Sequence, residues 1–202
     1  PYLDRLDRQR QRFDLDVIAV GLDAGYATAA IAKGLEDRDI LGVTGYRRPN
    51  LREGYIPKRK YVYDPERDAY RCPEGQLLSY ATTDRNGYRH YHSDPEKCRT
   101  CPVLASCTAN AHQRKTVTRH VWQDARDRAD AYRLTEWGKR GYKRRKETVE
   151  RSFADAKQLH GHRYARFRGL INVKCQCLLA AAAQNIKKIA LALGPKGPIA
   201  EA

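Results

Sequence analysis

The stretch that most narrows the possible folds is residues 16 to 45, where two short apolar runs flank an alanine-rich one. Residues 16 to 22, DVIAVGL, are too few for a buried helix and rich in β-branched side chains, so they read as a buried strand. The strand is closed by Asp23, Ala24 and Gly25. ATAAIAKGLEDR follows as a short helix, with the Thr28 hydroxyl placed to cap its first turn. DILGVTGY then reads as a second strand. A helix between two strands permits the strands to run parallel, so this order argues for an α/β architecture. It also puts Asp23 at the carboxyl end of its strand, where open α/β sheets place their chemistry.

The character changes from residue 46 to about residue 123. RRPNLREGYIPKRKYVYDPERDAYRCPEG mixes Arg, Tyr and Pro in short alternating pieces with turn signals, and the segment holds four of the six cysteines. It reads as an irregular, partly β insertion between two parts of one core. Its basic and aromatic alternation suits a nucleic-acid backbone, although tyrosines equally anchor small sheets. Helical patterning resumes in residues 124 to 202. There Val149, Phe153 and Ala156 form an apolar stripe expected to pin a helix to the sheet. A final helix is expected from about residue 172 to 193, stopped by Gly194 and Pro195, with a frayed tail beyond. The chain therefore divides into 1 to 45, 46 to 123 and 124 to 202.

Charge narrows the partner. The 39 Lys and Arg outnumber the 24 Asp and Glu, leaving a formal net charge of +15. Each phosphate neutralised by such a cation releases a counterion, so the surface suits a polyanion. A ribosomal or membrane-surface protein shares such a balance. The longest apolar stretch, CLLAAAAQNIKKIALAL, is broken by Lys187 and Lys188 and is too short to span a bilayer. The N-terminal PYLDRLDRQRQRFD has no apolar run of a signal peptide. A cytoplasmic protein whose cysteines are thiols or metal ligands is the expectation. The chain has no methionine, as expected of a fragment or excised domain.

The segment YKRRKETVERSFADAKQLHGHRYARFRGL, residues 142 to 170, carries the sharpest pattern. On a helix Glu150 and Lys157 lie two turns apart on nearly one face. A carboxylate there, flanked by Arg144, Arg145, Arg151 and Lys157, suits a metal ligand facing phosphates. A solvated basic helix with Glu150 in ordinary i,i+4 pairs is the plainer reading of the spacing. VERSFADAK, HGHRYARFRGL and LLAAAAQNIKKIA, in that order, resemble the C-terminal catalytic region of DDE transposases of bacterial insertion sequences. LDAGYATAAIAKGL is similar to the segment holding that family's second acid. RCPEG and KCRTCPVLASCT resemble the cysteine-bearing insertion of one branch.

The resemblance implies an RNase H-like mixed sheet with flanking helices, incomplete at its N-terminus and interrupted by the cysteine-rich insertion. It makes Asp23 the second acid and Glu150 the third. Tyr142, Arg145 and Lys157 match the family's Tyr–Arg–Glu–Lys pattern, with one residue more between Arg145 and Glu150 than in better-known branches. No residue before Asp23 matches the first acid, since Asp14 and Asp16 are too close to occupy a separate strand. The implied chemistry is two-metal strand cleavage and transfer, with Mg²⁺ or Mn²⁺ ions about 3.5–4 Å apart. Tyr142, Arg144, Arg145, Arg151, Lys157, Arg163, Arg166 and Arg168 would hold DNA. Transposon ends and target DNA are the implied partners, with self-association in a synaptic complex. With two of three acids, the chain is expected to be inactive alone.

Cys72, Cys98, Cys101 and Cys107 are spaced C-x25-C-x2-C-x5-C. The close pair has the bite of a zinc knuckle, and a four-sulfur Zn²⁺ site would stabilise a small insertion. Four reduced thiols in an apolar cluster, or an iron–sulfur site, are the other readings. His90, His92 and His112 are spare ligands, more simply solvated. Cys175 and Cys177 point to different sides of the last helix and read as core thiols. Two further functions stay open. A zinc-stabilised nucleic-acid-binding module without catalysis fits the charge and the cysteines. A purely structural basic protein leaves Asp23 at a strand end unexplained.

Overall fold

The computed structural model describes residues 2–194. It falls into two units, Pro1–Gly138 and Lys139–Ala202. The expected frayed tail, residues 195 to 202, lies outside the described residues.

The first unit opens with helix α1 (Tyr2–Phe13), then strand β1 (Ala19–Leu22), helix α2 (Ala29–Glu36) and strand β2 (Leu41–Thr44). β1 and β2 pair in parallel from Ala19 opposite Leu41 to Leu22 opposite Thr44, as the β–α–β order requires. Thr28 caps α2, its hydroxyl accepting from the Ile31 amide at 3.3 Å. Leu6 of α1 joins Leu22, Leu35 and Ile40 in one apolar core. α1 crosses α2 so closely that a Cβ on Gly34 would run into Leu3. A bidentate pair ties the two helices: Arg38 donates to both Asp7 oxygens at 2.8 and 2.7 Å.

Residues 62 to 120 sharpen one expectation. The β part of the segment read as irregular and partly β is a five-stranded antiparallel meander with one register shift between Tyr80 and Thr82. Its strands are β3 (Val62–Asp64), β4 (Ala69–Arg71), β5 (Leu77–Thr83), β6 (Tyr88–Ser93) and β7 (Thr116–His120), paired in chain order. The turns explain the order. The Asp84 carboxylate accepts from the Asn86 and Tyr88 amides, each at 2.9 Å, and Gly87 follows at φ +80°. That conformation suits glycine, and a Cβ there would press on His120. The core of the sheet is Tyr61, Tyr70, Leu78, Tyr91 and Val117. Its rings pack edge to face, Tyr70 on Tyr91 at 5.1 Å. Two short helices, α3 (Pro95–Arg99) and α4 (Leu104–Cys107), fill the connection from β6 to β7.

Helix α5 (Gln123–Arg133) returns to α2, and Arg128 donates to both Glu36 oxygens at 2.8 Å. Helix α6 (Glu136–Arg145) begins at a tight corner where Thr135 accepts from the Gly138 amide at 3.1 Å. A Cβ on Gly138 would run into the Tyr132 carbonyl, so the corner needs glycine.

In the second unit α6 passes into one π-helical turn, Lys146–Glu150, and then α7 (Arg151–Leu159). Helix α8 (Leu170–Leu193) starts two residues earlier than expected and ends at Gly194. Ala156 and Ala180 are buried, and Lys188 of α8 donates to the Ser152 hydroxyl at 3.1 Å. Of the anticipated apolar stripe only Ala156 is buried; Val149 and Phe153 stay exposed. Among the described residues no helix is long and apolar enough to cross a membrane.

Candidate active site

Asp23 follows β1 directly, at its carboxyl end, and is exposed. Its Oδ1 accepts from the Ala24 amide at 2.6 Å and its carbonyl from Tyr26 at 2.9 Å, which starts a 3₁₀ turn over Ala24–Tyr26. The carboxylate is thus held by its own turn. It sits in the first unit, and Glu150 in the second.

Glu150 closes the π turn. A π turn bonds i to i+5, and Arg145 lies five residues before Glu150. The turn brings the two side chains together: Arg145 Nη1 donates to Glu150 Oε1 at 2.6 Å. Arg145 is largely buried, while half of the Glu150 side chain is exposed. The guanidinium lies 5.8 Å from the Tyr142 ring, so Tyr142, Arg145 and Glu150 form one constellation. Thr148 keeps the turn intact by donating to the Arg144 carbonyl at 3.1 Å. The pairing leaves Glu150 Oε2 for another partner.

Glu150, Lys157 and Arg163 line a single concavity of about 410 Å³ with Phe153, Ala154 and Gln158. The two-turn spacing therefore does set Lys157 beside Glu150. Arg151 lies outside this concavity, in the cleft of about 830 Å³ between α7 and α8. Arg144 is exposed on α6.

Arg163, Arg166 and Arg168 sit in the loop between α7 and α8, which one residue pins. Gln176 donates to the Gly161 and Tyr164 carbonyls at 3.1 and 2.7 Å and accepts from the Arg166 amide at 2.9 Å. Sequence reasoning passed over Gln176. The available signal was an amide side chain set between Cys175 and Cys177 just ahead of the apolar run of α8.

Cys72, Cys98, Cys101 and Cys107 are reduced and half-buried. Cys72 and Cys107 pack against the tyrosine core. Cys107 Sγ is 3.1 Å from the Tyr61 hydroxyl, and Cys98 donates to Ser93 at 3.2 Å. Burial, the Cys107 hydrogen bond and the nearby Cys107, Cys72 and Cys98 thiols push the Tyr61 hydroxyl far above its ordinary range. The thiols of Cys107, Cys72 and Cys98 lie around Tyr61, and their chemistry suits a soft metal. Yet among the described residues no group of three or more His, Cys, Asp or Glu side chains is arranged to hold an ion. Of the spare histidines, His90 pairs with Asp84 at 3.2 Å, and His92 and His112 form no ion pair among the described residues. Cys175 and Cys177, expected in a core, are exposed.

Residues 71–190 match a family model described as a transposase DDE domain. Comparison with curated proteins and with solved structures returned no match. The matched span opens at the last residue of β4, so it takes in the four cysteines and Glu150 and leaves out Asp23.

Proposed function

From the membership of this chain in the transposase DDE domain family, we propose that it serves metal-dependent cleavage and strand transfer of DNA in the transposition of an insertion sequence, with Asp23 and Glu150 as two of the three acids. The observation that carries the reading is the π turn, which sets Glu150 against Arg145 and Tyr142 despite the extra residue. β1, α2 and β2 are taken as part of an RNase H-like sheet. DNA binding follows from the family, and family members use a divalent metal such as Mg²⁺.

Asp23 and Glu150 are exposed carboxylates, hard-oxygen donors that fit Mg²⁺ or Mn²⁺. The bound ions supply an activated hydroxyl nucleophile and charge stabilisation at the leaving oxygen. This chain's residues do the rest. Arg145 orients Glu150 by fixing Oε1. Lys157 and Arg163, on the same concavity, hold the phosphates of the DNA strand there. Arg144, Arg151, Arg166 and Arg168 extend the grip, and Gln176 keeps the loop arginines in place. The work belongs in the cytoplasm on transposon ends and target DNA, with two copies joined in a synaptic complex. Zinc at Cys72, Cys98, Cys101 and Cys107 belongs to the same proposal; what supports it is that three of these thiols, Cys72, Cys98 and Cys107, lie around Tyr61.

Fe²⁺-directed backbone scission tests the acids without requiring turnover. With ascorbate and peroxide, cuts are expected near residues 23 and 150, suppressed by excess Mg²⁺ and lost near 150 in Glu150→Gln. Scission indifferent to Mg²⁺ and to Glu150→Gln would leave the non-catalytic nucleic-acid-binding reading. Because only two acids are matched, the 202-residue chain with Mg²⁺ is expected to leave duplex DNA uncut; cutting abolished by Glu150→Gln would overturn that expectation.

A further inference from the structure

One cleft of the first unit is lined by none of the acids or DNA-holding residues assigned above and has no role in that reading. It has a volume of about 1300 Å³ and runs between the connection from β2 to β3, the start of β7 and helix α5. Eight Arg or Lys residues line it against two aspartates, Asp127 and Asp130. Those aspartates are engaged: Asp127 faces Arg119 at 3.7 Å and Asp130 faces Arg126 at 3.8 Å. Among the described residues no ion pair reaches Arg48, Arg52, Arg59 or Arg114, and all four are exposed. Unpaired cations lining one cleft repel one another, a cost that a bound anion would relieve. Burial of the Lys58 ammonium end, then the Arg119 and Arg126 charges, hold its pKa below the ordinary lysine range.

The walls explain what the charges are for. Tyr46 and Tyr55 stand among the arginines, with the Arg52 guanidinium 4.1 Å from the Tyr55 ring. Lys58 and Lys115 are fixed by donating to the Thr118 and Cys107 carbonyls. Fixed cations interleaved with aromatic rings along a groove suit an extended polyphosphate rather than one small anion. We propose that this cleft is a second DNA-backbone site of the chain, built by the five-stranded sheet and α5, which holds a DNA segment by its phosphates. The proposal rests on the DNA-binding reading and adds to it a surface that Glu150 and its neighbours do not supply.

Fluorescence anisotropy of the 202-residue chain on a labelled 30-bp duplex, over a series of salt concentrations, tests it. A variant carrying Arg48→Ala, Arg52→Ala, Arg59→Ala and Arg114→Ala is compared with one losing equal charge elsewhere, at Arg5, Arg8, Arg12 and Arg85. The groove variant is expected to bind about 10- to 100-fold more weakly near physiological salt, and the slope of log affinity against log salt to fall by about 3. The control is expected to lose several-fold at most. Equal losses in the two variants, or none in the groove variant, overturn the groove while DNA binding by the parent chain stands. Failure of the parent chain to bind DNA at low salt overturns the wider reading as well. Should the groove variant not fold, acetylation of the parent chain decides: Lys58 and Lys115 are expected to be protected by the duplex, and Lys97 on α3 to react as without it. Unprotected Lys58 and Lys115 overturn the groove.

Discussion

Arg145 donates to Glu150 because a single turn is wound wider than its neighbours. An α-helix would carry residue 150 a further 100° around the axis and point its carboxylate elsewhere. The wider turn weakens local hydrogen bonding, which Thr148 repairs in part through the Arg144 carbonyl. Such turns persist where function needs the geometry they give. Deleting Thr148 should therefore return the segment to an α-helix without loss of stability, and raise the melting temperature by a few degrees if the turn is strained. Arg145 and Glu150 would then lie four residues apart on an α-helix, still on one face, so Fe²⁺-directed scission near residue 150 should persist. A deletion variant that loses scission would show that the wider turn does more than absorb one residue. Gly138 shows the opposite kind of constraint. Gly138→Ala forces a Cβ into the Tyr132 carbonyl, and a loss of about 1–3 kcal/mol is expected in chemical denaturation.

At the scale of elements the sheet hangs on one aspartate. Asp68 sits in the turn from β3 to β4 and accepts from the Tyr63 and Tyr91 hydroxyls at 2.8 and 2.7 Å, with Arg89 at 2.6 Å. Burial alone would raise its pKa. The Tyr91 and Tyr63 hydrogen bonds and the Arg89 and Arg119 charges outweigh burial and lower it. A carboxyl with a folded pKa below its unfolded value stabilises the fold above the unfolded pKa. That contribution is lost as pH falls through the folded value. Denaturation midpoints measured from pH 7 downward should therefore drop below about pH 4, and Asp68→Asn should flatten the drop. Asp68→Ala leaves the buried Tyr91 hydroxyl without its acceptor and should cost about 1–3 kcal/mol at pH 7. This sheet was hard to read from residues. Three of its five core residues are tyrosines, so the alternation looks like a basic, aromatic loop. The β–α–β segment was legible because its apolar runs have the lengths and breaks of strands around a capped helix. Glu150 was legible as a pattern. Its pairing with Arg145 was not, since i→i+5 bonding leaves no periodic mark.

Across the whole molecule, apolar burial is concentrated in the first unit. Both of its clusters hold large buried side chains: Leu22 and Leu35 in one, Tyr91 and Leu78 in the other. In the second unit the buried residues of α7 and α8 are Ala156 and Ala180, whereas Leu170, Ile171, Leu179 and Leu191 are exposed. Burying an alanine removes far less apolar area from water than burying a leucine, and stability scales with that area. Opening should therefore be graded along the chain. Backbone amides of β5, β6 and β7 should be the last to exchange with deuterium, near the global unfolding limit, and those of α7 and α8 should exchange through local opening long before. Glu150 and the loop arginines would then ride on the least stable part of the molecule, where a bound DNA phosphate has the most to order. Adding duplex DNA should slow exchange in residues 151 to 168 more than in β5 and β6. Equal protection of α8 and the sheet in the free chain would place the second unit inside the same cooperative core and remove this reason for its response to DNA.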